Sequence, residues 1–437
     1  MMQFNFLMLI YVAPLVAIWF GWIWLGKHRS ARARAVLEDN LQAGLMEPNS
    51  LHPVIDSALC LGCASCVRAC PEKSILGIID GKAMLIEPTM CVGHGACATA
   101  CPTHAISLVF GTATRGVDIP LLSPTFETSV PGIFIAGELG GMGLIKNAIE
   151  QGRQAIVHAA AHARRVSGGG DALDVVIVGC GPAGIAASLG AKEAKLDFVT
   201  LDQSSLGGTV AHFPRGKVVM TAPAKLPIVG EVRFGEVSKE RLLAFWEKVI
   251  AETGLQPRFE EQVSAIERNG QLFEVVTSKG RYPAKAVILA IGRRGTPRTL
   301  DVPGEELEKV LYRLIDPEQF AGCKVLVVGG GDSALEAAAQ IAEQPGSQVT
   351  LSYRGKGFSR AKNKNRERVI ELARTNRIEV LLESEIRAIE PDAVKLSTTI
   401  GERQLANDTV IICAGGLLPT QFLHNIGINV ETKYGVV

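Results

Sequence analysis

The sequence predicts an α/β protein with two glycine-rich strand–turn–helix units, a small α+β unit and one N-terminal transmembrane helix. Three observations carry this prediction. Seven of the ten cysteines lie between residues 60 and 101. Two glycine-rich turns, each between an apolar strand and a helix, follow in the second half of the chain. An uncharged apolar segment precedes all of these features.

Length and composition bound the architecture. A chain of 437 residues should contain about three units, given a soft expectation of about 150 residues per domain. The formal net charge is +1, which gives no indication of nucleic acid as a partner. Aromatic residues make up only 5% of the chain, whereas glycine occurs 46 times. Such a composition suits an α/β protein with several nucleotide-binding turns.

The N-terminal segment has no charged side chain in its first 26 residues, and an apolar run extends from Phe4 to Leu25. As a helix this run would span about 33 Å, enough for a hydrocarbon core of about 30 Å. Three tryptophans lie near its end, and basic residues begin at Lys27. The positive-inside rule then predicts a single-pass anchor over 1–26 and a linker over 27–54, in the inner (cytoplasmic) membrane with the bulk of the chain facing the cytoplasm. A cleaved signal peptide is the alternative, but MMQFNF offers no basic start.

Two cysteine runs, CLGCASCVRACP and CVGHGACATACP, have the spacing of iron–sulfur ligands. The first run supplies Cys60, Cys63, Cys66 and, before a proline, Cys70. The second supplies Cys91, Cys97 and, before a proline, Cys101, with His94 where a fourth cysteine would complete the pattern. A zinc site is the alternative, disfavoured because zinc usually closes with four ligands from two Cys-x-x-Cys pairs. The pattern therefore predicts one-electron chemistry.

Residues 55–108 resemble the two-cluster bacterial ferredoxins, in which the cysteine before proline ligates the cluster of the other run. The resemblance implies a first cluster held by Cys60, Cys63, Cys66 and Cys101. It implies a second cluster held by Cys70, Cys91 and Cys97, with position 94 either a histidine ligand or a vacancy. One 4Fe-4S cluster is thus expected, together with a second cluster of the 4Fe-4S or 3Fe-4S type. A ligating His94 would raise the potential of the second cluster.

The stretch DVVIVGCGPAGIAASLGAKEAKLDFVTLDQ predicts a dinucleotide-binding turn in its proper context. An apolar strand, a G-x-G-x-x-G turn, a helix and a second strand ending at an acid follow one another. The glycines let the backbone approach a pyrophosphate, the helix N-terminus attracts its charge, and the acid accepts from ribose hydroxyls. The residues expected to bind this cofactor are Gly179, Gly181, Pro182, Ala183, Gly184, Asp202, Gly207 and Gly208.

A second such turn lies in CKVLVVGGGDSALEAAAQIAEQPGSQVTLSYRGKGFSR. Its expected binding residues are Gly329, Gly331, Asp332, Ser333, Ala334, Arg354 and Arg360. No acid follows the second strand; basic residues, Lys356 among them, stand there instead and suit a 2′-phosphate. The sequence therefore favours NADP(H), while NAD(H) stays open because a solvated basic loop is the alternative interpretation.

Three further motifs, AVILAIGRRGTPR, LDVPGEE and IICAGGLLPT, resemble those of the two-dinucleotide-domain flavoprotein reductases. The thioredoxin-reductase-like group and the bacillithiol-disulfide reductases are the most similar in these motifs. The resemblance implies an FAD-dependent NAD(P)H oxidoreductase with two Rossmann-like domains, one for FAD and one for NAD(P)H. Members of this family are commonly homodimers, so a homodimer is an expectation here too.

The family's closing flavin motif is missing after IICAGGLLPT, and ETSVPGIFIAGELGGMGLIKNAIEQGRQAIVHAA supplies a match upstream. The flavin domain therefore looks circularly permuted, with SGGG at residues 167–170 as the joining linker. Gly137 and Glu138 match the family's Gly-Asp motif, with Glu in place of Asp. The expected domains are 55–108 for the ferredoxin-like unit, 109–166 and 171–297 for the two parts of the FAD domain, 298–415 for the NAD(P)H domain, and 416–437 for the return to the FAD domain.

The expected electron route runs from NADPH through FAD to the two clusters and on to a one-electron acceptor, or in reverse. A ferredoxin, a cytochrome or a quinone-linked subunit is the expected redox partner. Two alternatives stay open. Thiol–disulfide reduction requires a cysteine pair near the flavin, whereas Cys180, Cys323 and Cys413 are isolated in the sequence. A redox-sensing or assembly subunit would carry clusters without turnover. No side chains are predicted to act as catalytic acids or bases.

Overall fold

A computed structural model describes residues 2–435 except 43, 44, 49, 50, 73, 114, 142, 167–169, 221, 222, 234, 294–296, 360, 417 and 418, and only the backbone of residues 2–10, 218 and 220. The chain divides into two compact units. The smaller comprises Met1–Thr114 together with Gly435–Val437, and the larger comprises Arg115–Tyr434.

The smaller unit combines a long N-terminal helix with two antiparallel strand pairs and two short helices. Its elements are α1 (Met2–Gln42), β1 (His52–Ile55), α2 (Ser65–Ala69), β2 (Leu76–Ile79), β3 (Lys82–Leu85), α3 (Ala96–Thr99) and β4 (Ile106–Val109). β1 pairs with β4 and β2 with β3. The turn between β2 and β3 is Asp80–Gly81, both with positive φ, as an Asp-Gly hairpin turn requires.

The second half of α1 packs against the small unit. Ala33 is buried against Ile79 and Ile86, whose carbonyl accepts a hydrogen bond of 2.9 Å from the Asn40 side chain. Arg34 forms an exposed ion pair of 2.5 Å with Asp80. This half of the helix is therefore part of the packed unit and not a free linker.

The first half of α1 contains the segment predicted to be a membrane anchor. The structure contradicts that prediction. Among the completely described residues, no helix is long and apolar enough to cross a membrane. The side chains of residues 2–10 lie outside this description; the apolar stretch that remains, from Tyr11 to Leu25, spans about 22 Å as a helix, short of a hydrocarbon core of about 30 Å. The predicted inner-membrane location rested on the anchor and is corrected with it.

The larger unit contains one mixed sheet followed by one parallel sheet. The elements that build or flank the first are β5 (Val117–Pro120), β6 (Ile133–Ile135), α4 (Ile145–Ala163), β7 (Leu173–Val178), α5 (Pro182–Glu193), β8 (Phe198–Leu201), β9 (Val218–Met220), β10 (Ala224–Leu226), β11 (Gly230–Val232), β12 (Glu236–Ser238), α6 (Lys239–Thr253), β13 (Val263–Asn269), β14 (Leu272–Thr277) and β15 (Arg281–Leu289). The strand order is β13–β14–β15–β7–β8, and β6 also pairs with β15. The contacts of β15 with β6 and β7, and of β7 with β8, are parallel.

Strand β7 shows why this sheet forms. Its residues Val175 to Val178 are buried, and a run of aliphatic side chains without alternation is typical of a strand covered on both faces. Helix α5 follows with Pro182 in its first turn, where proline costs no hydrogen bond. Gly152 of α4 lets the two helices pack closely. A Cβ added there would lie 2.1 Å from the carbonyl oxygen of Ala183 in α5.

The second sheet is parallel and belongs to the second glycine-rich segment. Its elements and those that follow are β16 (Val310–Leu311), β17 (Lys324–Val328), α7 (Asp332–Ala342), β18 (Gln348–Tyr353), α8 (Asn363–Arg374), β19 (Ile378–Leu382), β20 (Glu385–Ile389), β21 (Ala393–Thr398), β22 (Gly401–Ala406), β23 (Thr409–Ile412), α9 (Thr420–Ile426) and β24 (Val430–Lys433). The strand order is β16–β23–β17–β18–β19, and β20–β21–β22 form a separate antiparallel sheet. β24 returns to pair with β5.

Candidate functional site

A cavity of about 2500 Å³ in the larger unit is lined by both glycine-rich turns. The predicted binding residues on its wall are Gly137, Glu138, Gly179, Gly181, Pro182, Ala183, Asp202, Gly208, Gly329, Gly331, Asp332, Ser333 and Arg354. Gly184, Gly207 and Ala334 do not line it, and Arg360 lies outside the described residues. The structure thus brings most of the predicted nucleotide residues to one space.

The first turn requires glycine on steric grounds. Gly179 has φ +107°, and an added Cβ would lie 2.4 Å from the Ala290 carbonyl oxygen. A Cβ at Gly184 would lie 1.8 Å from the Gly179 carbonyl oxygen, which no backbone adjustment of a few tenths of an ångström relieves. At Gly181 the nearest atom would be 3.7 Å away. Between α5 and the neighbouring backbone the turn therefore leaves an open cradle of the kind a pyrophosphate fills.

Asp202 lies directly after β8, beside this turn. Its carboxylate accepts hydrogen bonds from the backbone N–H groups of Cys180 at 2.7 Å and Ser204 at 2.8 Å. The carboxylate is 8% exposed and borders the cavity. The acid is thus held in place by two backbone donors at the cavity wall, and its contact with a ribose stays a prediction.

The second turn repeats the first. Gly329 has φ +142°, and an added Cβ would lie 2.5 Å from the Cys413 carbonyl oxygen, while nothing lies within 4 Å of a Cβ at Gly331. Asp332 opens helix α7, and its Oδ1 accepts from the Lys362 N–H at 2.8 Å and from the Asn365 amide at 2.7 Å. Arg354 follows β18, is exposed and borders the cavity. This half offers a second cradle with one cation at the position expected for a 2′-phosphate.

Arg293 is a residue that the sequence interpretation missed. It donates to the Asp118 carbonyl oxygen at 3.1 Å, and Glu138 on the cavity wall is close enough to act on its charge. Burial lowers the pKa of the Arg293 guanidinium, against the opposing effect of Glu138 and Asp118. The consecutive arginines after the strand in AIGRRG were the available signal, because a charged residue at the end of a buried strand usually has a partner.

An ion pair that the sequence did not predict connects two segments of the larger unit at the cavity. Lys217 Nζ lies 2.6 Å from Glu336 Oε2, and both residues border the cavity. Lys217 follows the first dinucleotide turn in sequence, whereas Glu336 is on α7 behind the second. The motif PRGK contains the basic residues, but nothing local in the sequence identifies the partner.

The cysteine-rich segment forms the core of the smaller unit. Cys60, Cys66, Cys91 and Cys97 are buried, and burial raises the pKa of the Cys66, Cys91 and Cys97 thiols. Cys63 is exposed; a hydrogen bond with Ser65 lowers the pKa of its thiol, and its charge interacts with that of Cys101.

The thiols also fall into neighbourhoods. The charge of Cys66 interacts with those of Cys60 and Cys63, whereas the charge of Cys97 interacts with those of Cys91 and Cys70. The charge of Cys97 raises the pKa of the Cys66 thiol more than that of Cys63 does, so the two neighbourhoods adjoin. His94 is exposed between two glycines of positive φ.

Among the described residues, no three His, Cys, Asp or Glu side chains converge on a single metal ion. None of the ten cysteines, all of which are described, forms a disulfide. Donor chemistry nevertheless fits iron–sulfur clusters, since thiolates are the usual ligands of both 2Fe-2S and 4Fe-4S clusters. The charges of Cys63 and Cys101 interact, as do those of Cys97, Cys91 and Cys70; which thiolates share a cluster stays a prediction.

The remaining cysteines do not form a redox pair. Cys180 is buried, and burial, followed by the charge of Asp202, raises the pKa of its thiol to about 12. A thiol that stays protonated at neutral pH is a poor nucleophile. Cys323 and Cys413 are partly buried beside strands β17 and β23.

Comparison with known proteins bears on both units. The sequence model of the pyridine nucleotide-disulphide oxidoreductase family matches residues 176–437, and that of the 4Fe-4S dicluster domain matches residues 52–102. A ferredoxin–NADP reductase of Ignicoccus hospitalis is 30% identical over 268 residues, covering 60% of this chain and 83% of the relative. A ferredoxin–NADP reductase of Thermus thermophilus is 32% identical over 272 residues, covering 60% and 78%.

A solved structure extends the comparison to the fold. The bacillithiol disulfide reductase Bdr of Staphylococcus aureus matches with a TM-score of 0.52 and 22% identity, covering 59% of this chain and 80% of the reductase. At this identity the match concerns the fold alone. It agrees with the succession of two dinucleotide-binding sheets in the larger unit.

Proposed function

Because this chain belongs to the pyridine nucleotide-disulphide oxidoreductase family and carries a 4Fe-4S dicluster domain, we propose that it passes electrons from NADPH, through bound FAD, to its clusters and on to a one-electron acceptor. It is an FAD-dependent oxidoreductase similar to the ferredoxin–NADP reductases, and electron transfer is its chemistry. The complete route and its acceptor are the proposal.

The observation that carries the proposal is the single cavity lined by both glycine-rich turns. Gly181, Asp202 and Glu138 would hold the flavin dinucleotide, and Gly331, Asp332 and Arg354 the nicotinamide dinucleotide. A bound flavin accepts a hydride from a nicotinamide and releases electrons singly to iron–sulfur clusters. The chain's own residues have to bind and orient the two dinucleotides, since positioning dominates such a transfer.

The FAD domain is proposed to be circularly permuted. Strand β6 adds to β15 in parallel register, with Ile133 opposite Val287, and α4 packs on α5. Gly137, which follows β6, donates its N–H to the Gln151 side chain at 2.8 Å and borders the cavity. These contacts support the interpretation that residues 109–166 supply the closing part of the flavin site.

The nicotinamide dinucleotide is proposed to be NADPH. Arg354 borders the cavity and Lys356 does not, although both are exposed. We expect R354Q to raise the KM for NADPH about tenfold and to leave the KM for NADH nearly unchanged, because only NADPH carries the 2′-phosphate. Steady-state kinetics with both nucleotides measure this. R374Q, at an exposed arginine away from the cavity lining, is the control and should alter neither KM; equal effects of R354Q on both nucleotides would contradict the assignment.

The acceptor is proposed to be a redox protein such as a ferredoxin, a cytochrome or a quinone-linked subunit, and the chain is proposed to act as a homodimer. Support for the acceptor comes from the dicluster domain, because iron–sulfur clusters transfer single electrons. Support for the dimer comes from the family resemblance alone.

The experiment that tests the proposed route is anaerobic reduction by NADPH, followed by absorbance of the flavin and of the clusters. We expect the flavin to bleach first and the clusters to follow. Flavin bleaching with clusters that stay oxidised, although dithionite reduces them, would contradict the route. A variant lacking one thiolate of each cluster, C60S/C91S, is the control in which the flavin should still bleach.

A further inference from the structure

The loop of residues 213–217, called here the clamp loop, belongs to the first dinucleotide segment of the larger unit and contacts the second. Phe213, Pro214 and Lys217 border the cavity from the side of the first turn. Residues 313–315 border it from the segment that leads to the second turn. The clamp loop therefore lies where the two halves of the cavity meet.

The clamp loop is fixed to the first dinucleotide segment at the start of α6. The Gly216 N–H donates to Glu240 Oε1 at 2.9 Å, and Lys239 Nζ donates to the Phe213 carbonyl oxygen at 2.5 Å. The Lys239 N–H also donates to the Lys217 carbonyl oxygen at 2.9 Å. Three hydrogen bonds over five residues make the loop a rigid extension of this segment.

Across the cavity, the clamp loop is basic and the facing segment is acidic. The Arg215 N–H donates to the Ile315 carbonyl oxygen at 3.0 Å. The Arg215 guanidinium lies 3.7 Å from Asp316 and 3.6 Å from Glu318, and Lys217 pairs with Glu336 at 2.6 Å. In each of these ion pairs a basic residue of the clamp loop faces an acidic residue. All three pairs therefore stabilise the same arrangement of the loop and the residues it faces.

The Lys217–Glu336 pair is the strongest of these charge contacts. Its side chains are 31% and 22% exposed, whereas those of Arg215 and Glu318 are 63% and 72% exposed. Exposed pairs contribute little because water and salt screen them, and partial burial reduces this screening. The short distance also makes the contact a charge-assisted hydrogen bond.

Glu336 transmits this contact to the second turn. Its Oε1 accepts from the Asn365 amide at 3.2 Å, and the same amide donates to Asp332 Oδ1 at 2.7 Å. Asp332 is the first residue of α7, directly after the turn. A continuous series of polar contacts therefore connects the clamp loop with the residues that would cradle the second dinucleotide.

We propose that Lys217 and Glu336 are positioning residues, whose ion pair sets the placement of the nicotinamide dinucleotide relative to the flavin. This inference rests on the proposed function, because it concerns the reduction of bound FAD by NADPH. That reaction requires close approach of the two rings, and a misplacement of about 1 Å can slow such a step about a hundredfold. Neither side chain takes part in the transfer.

The test is a double-mutant cycle on single-turnover reduction of the bound flavin by NADPH, measured by stopped flow at saturating nucleotide. We expect K217M and E336Q each to slow the reduction about tenfold or more, with unchanged FAD content and melting temperature. The double variant K217M/E336Q should be little slower than the slower single variant, since both substitutions break the same ion pair. The conservative variant K217R, which keeps a positive charge opposite Glu336 and leaves the Asn365 contact intact, should keep most of the native rate that K217M loses.

A matched pair supplies the control. Arg403 and Glu379 lie 2.6 Å apart with exposures of 40% and 44%, away from the cavity lining. R403M and E379Q should leave the rate of flavin reduction unchanged. Additive effects of K217M and E336Q, or a rate in K217R as low as in K217M, would overturn the proposal.

Hydrogen exchange separates this inference from the proposed function. In E336Q the Arg215 amide, which donates to Ile315 of the facing segment, should exchange faster than in the native protein, whether or not NADPH reduces the flavin. Unchanged exchange would overturn the clamp even if the native enzyme reduces its flavin. A native protein whose flavin NADPH does not reduce would overturn the proposed function, while faster exchange in E336Q would still support the contact.

Discussion

Single glycines of the first turn have separable roles. A methyl group at Gly184 would collide with the Gly179 carbonyl oxygen, whereas one at Gly181 would touch nothing closer than 3.7 Å. We expect G184A to lower the free energy of unfolding of the cofactor-free protein by about 1–3 kcal/mol, as overpacking does. Denaturant titration of the apoprotein measures it.

The matched variant at this turn is G181A, which fills the cradle and not the packed side. Its free energy of unfolding should stay near the native value, while its affinity for FAD falls. Fluorescence titration with FAD separates the two effects. Equal stability of the two variants would show that the turn is not packed as described.

At the residue scale, the buried thiol of Cys180 makes the free energy of unfolding depend on pH. Its folded pKa of about 12 exceeds the unfolded value of 9.0, so between these pH values the folded state holds a proton that the unfolded state has lost. Stability from this group is complete below pH 9 and declines by at most about 1.4 kcal/mol per pH unit toward pH 12. Denaturation of the native protein and C180A over pH 8–11 measures it. Parallel pH curves would contradict a buried neutral thiol.

Residue roles were predictable where one short segment determines them. Gly179 and Gly329 follow from the spacing of a motif whose backbone must turn sharply against a neighbouring strand. Lys217 and Glu336 were not predictable, because they are 119 residues apart and neither has a local signature. Arg293 is similar. The sequence shows a charged residue after a buried strand, but not its partners Asp118 and Glu138 on other segments.

At the scale of elements, the close crossing of α4 and α5 carries a prediction. A Cβ at Gly152 would lie 2.1 Å from the Ala183 carbonyl oxygen, in the first turn of α5. We expect G152A to separate the helices, to destabilise the protein by about 1–3 kcal/mol and to reduce FAD retention, since α5 opens at the cradle. Unfolding and FAD content after gel filtration measure both.

Gly280, in the loop before β15, is the control for this variant. No atom lies within 4 Å of a Cβ added there, and its φ is not positive. G280A should therefore retain native stability and FAD content. A G152A variant that behaves like G280A would mean that the two helices do not cross as closely as the structure has them.

Elements were predictable where hydrophobic pattern and turn chemistry agree. Strand β8 ends one residue before Asp202, and the helices after both glycine turns begin where the motifs place them. The N-terminal run shows the limit of this reasoning. Apolar composition predicted a helix correctly, but not that it continues to Gln42 and packs its second half on β2, because helix ends and helix partners depend on tertiary contacts.

At the scale of the whole molecule, the two ligand sets carry a prediction about iron. Cys63 neighbours Cys101, and Cys70 neighbours Cys91 and Cys97. If the runs exchange their last cysteines, C101S should damage the same cluster as C63S, and C70S the same cluster as C91S. Iron analysis should show a loss of about half the iron in each variant, and electron paramagnetic resonance should identify which signal disappears.

The contrary outcome of that experiment is specific. Loss of the same signal in C101S and C91S would mean that each run keeps its own cluster. For His94, a three-iron signal in the oxidised native protein would rule out the histidine as fourth ligand of an intact four-iron cluster. Sequence reasoning could name the ligand types, because spacing encodes them, but not the occupant of the fourth position, because an exposed histidine between two glycines has no unique side-chain direction.

Strand β6 gives the molecule an order of assembly during synthesis. It leaves the ribosome about 150 residues before β15, the strand with which it pairs. At about 5–20 residues per second this interval is roughly 8–30 s. During that interval a three-residue apolar strand and the apolar face of α4 lack the strand β15 on which they pack. The small cysteine-rich unit, by contrast, has almost its whole sequence available by residue 114. The cysteine-rich unit can therefore fold before β15, the partner of β6 in the sheet beside the first dinucleotide cradle, has been synthesised.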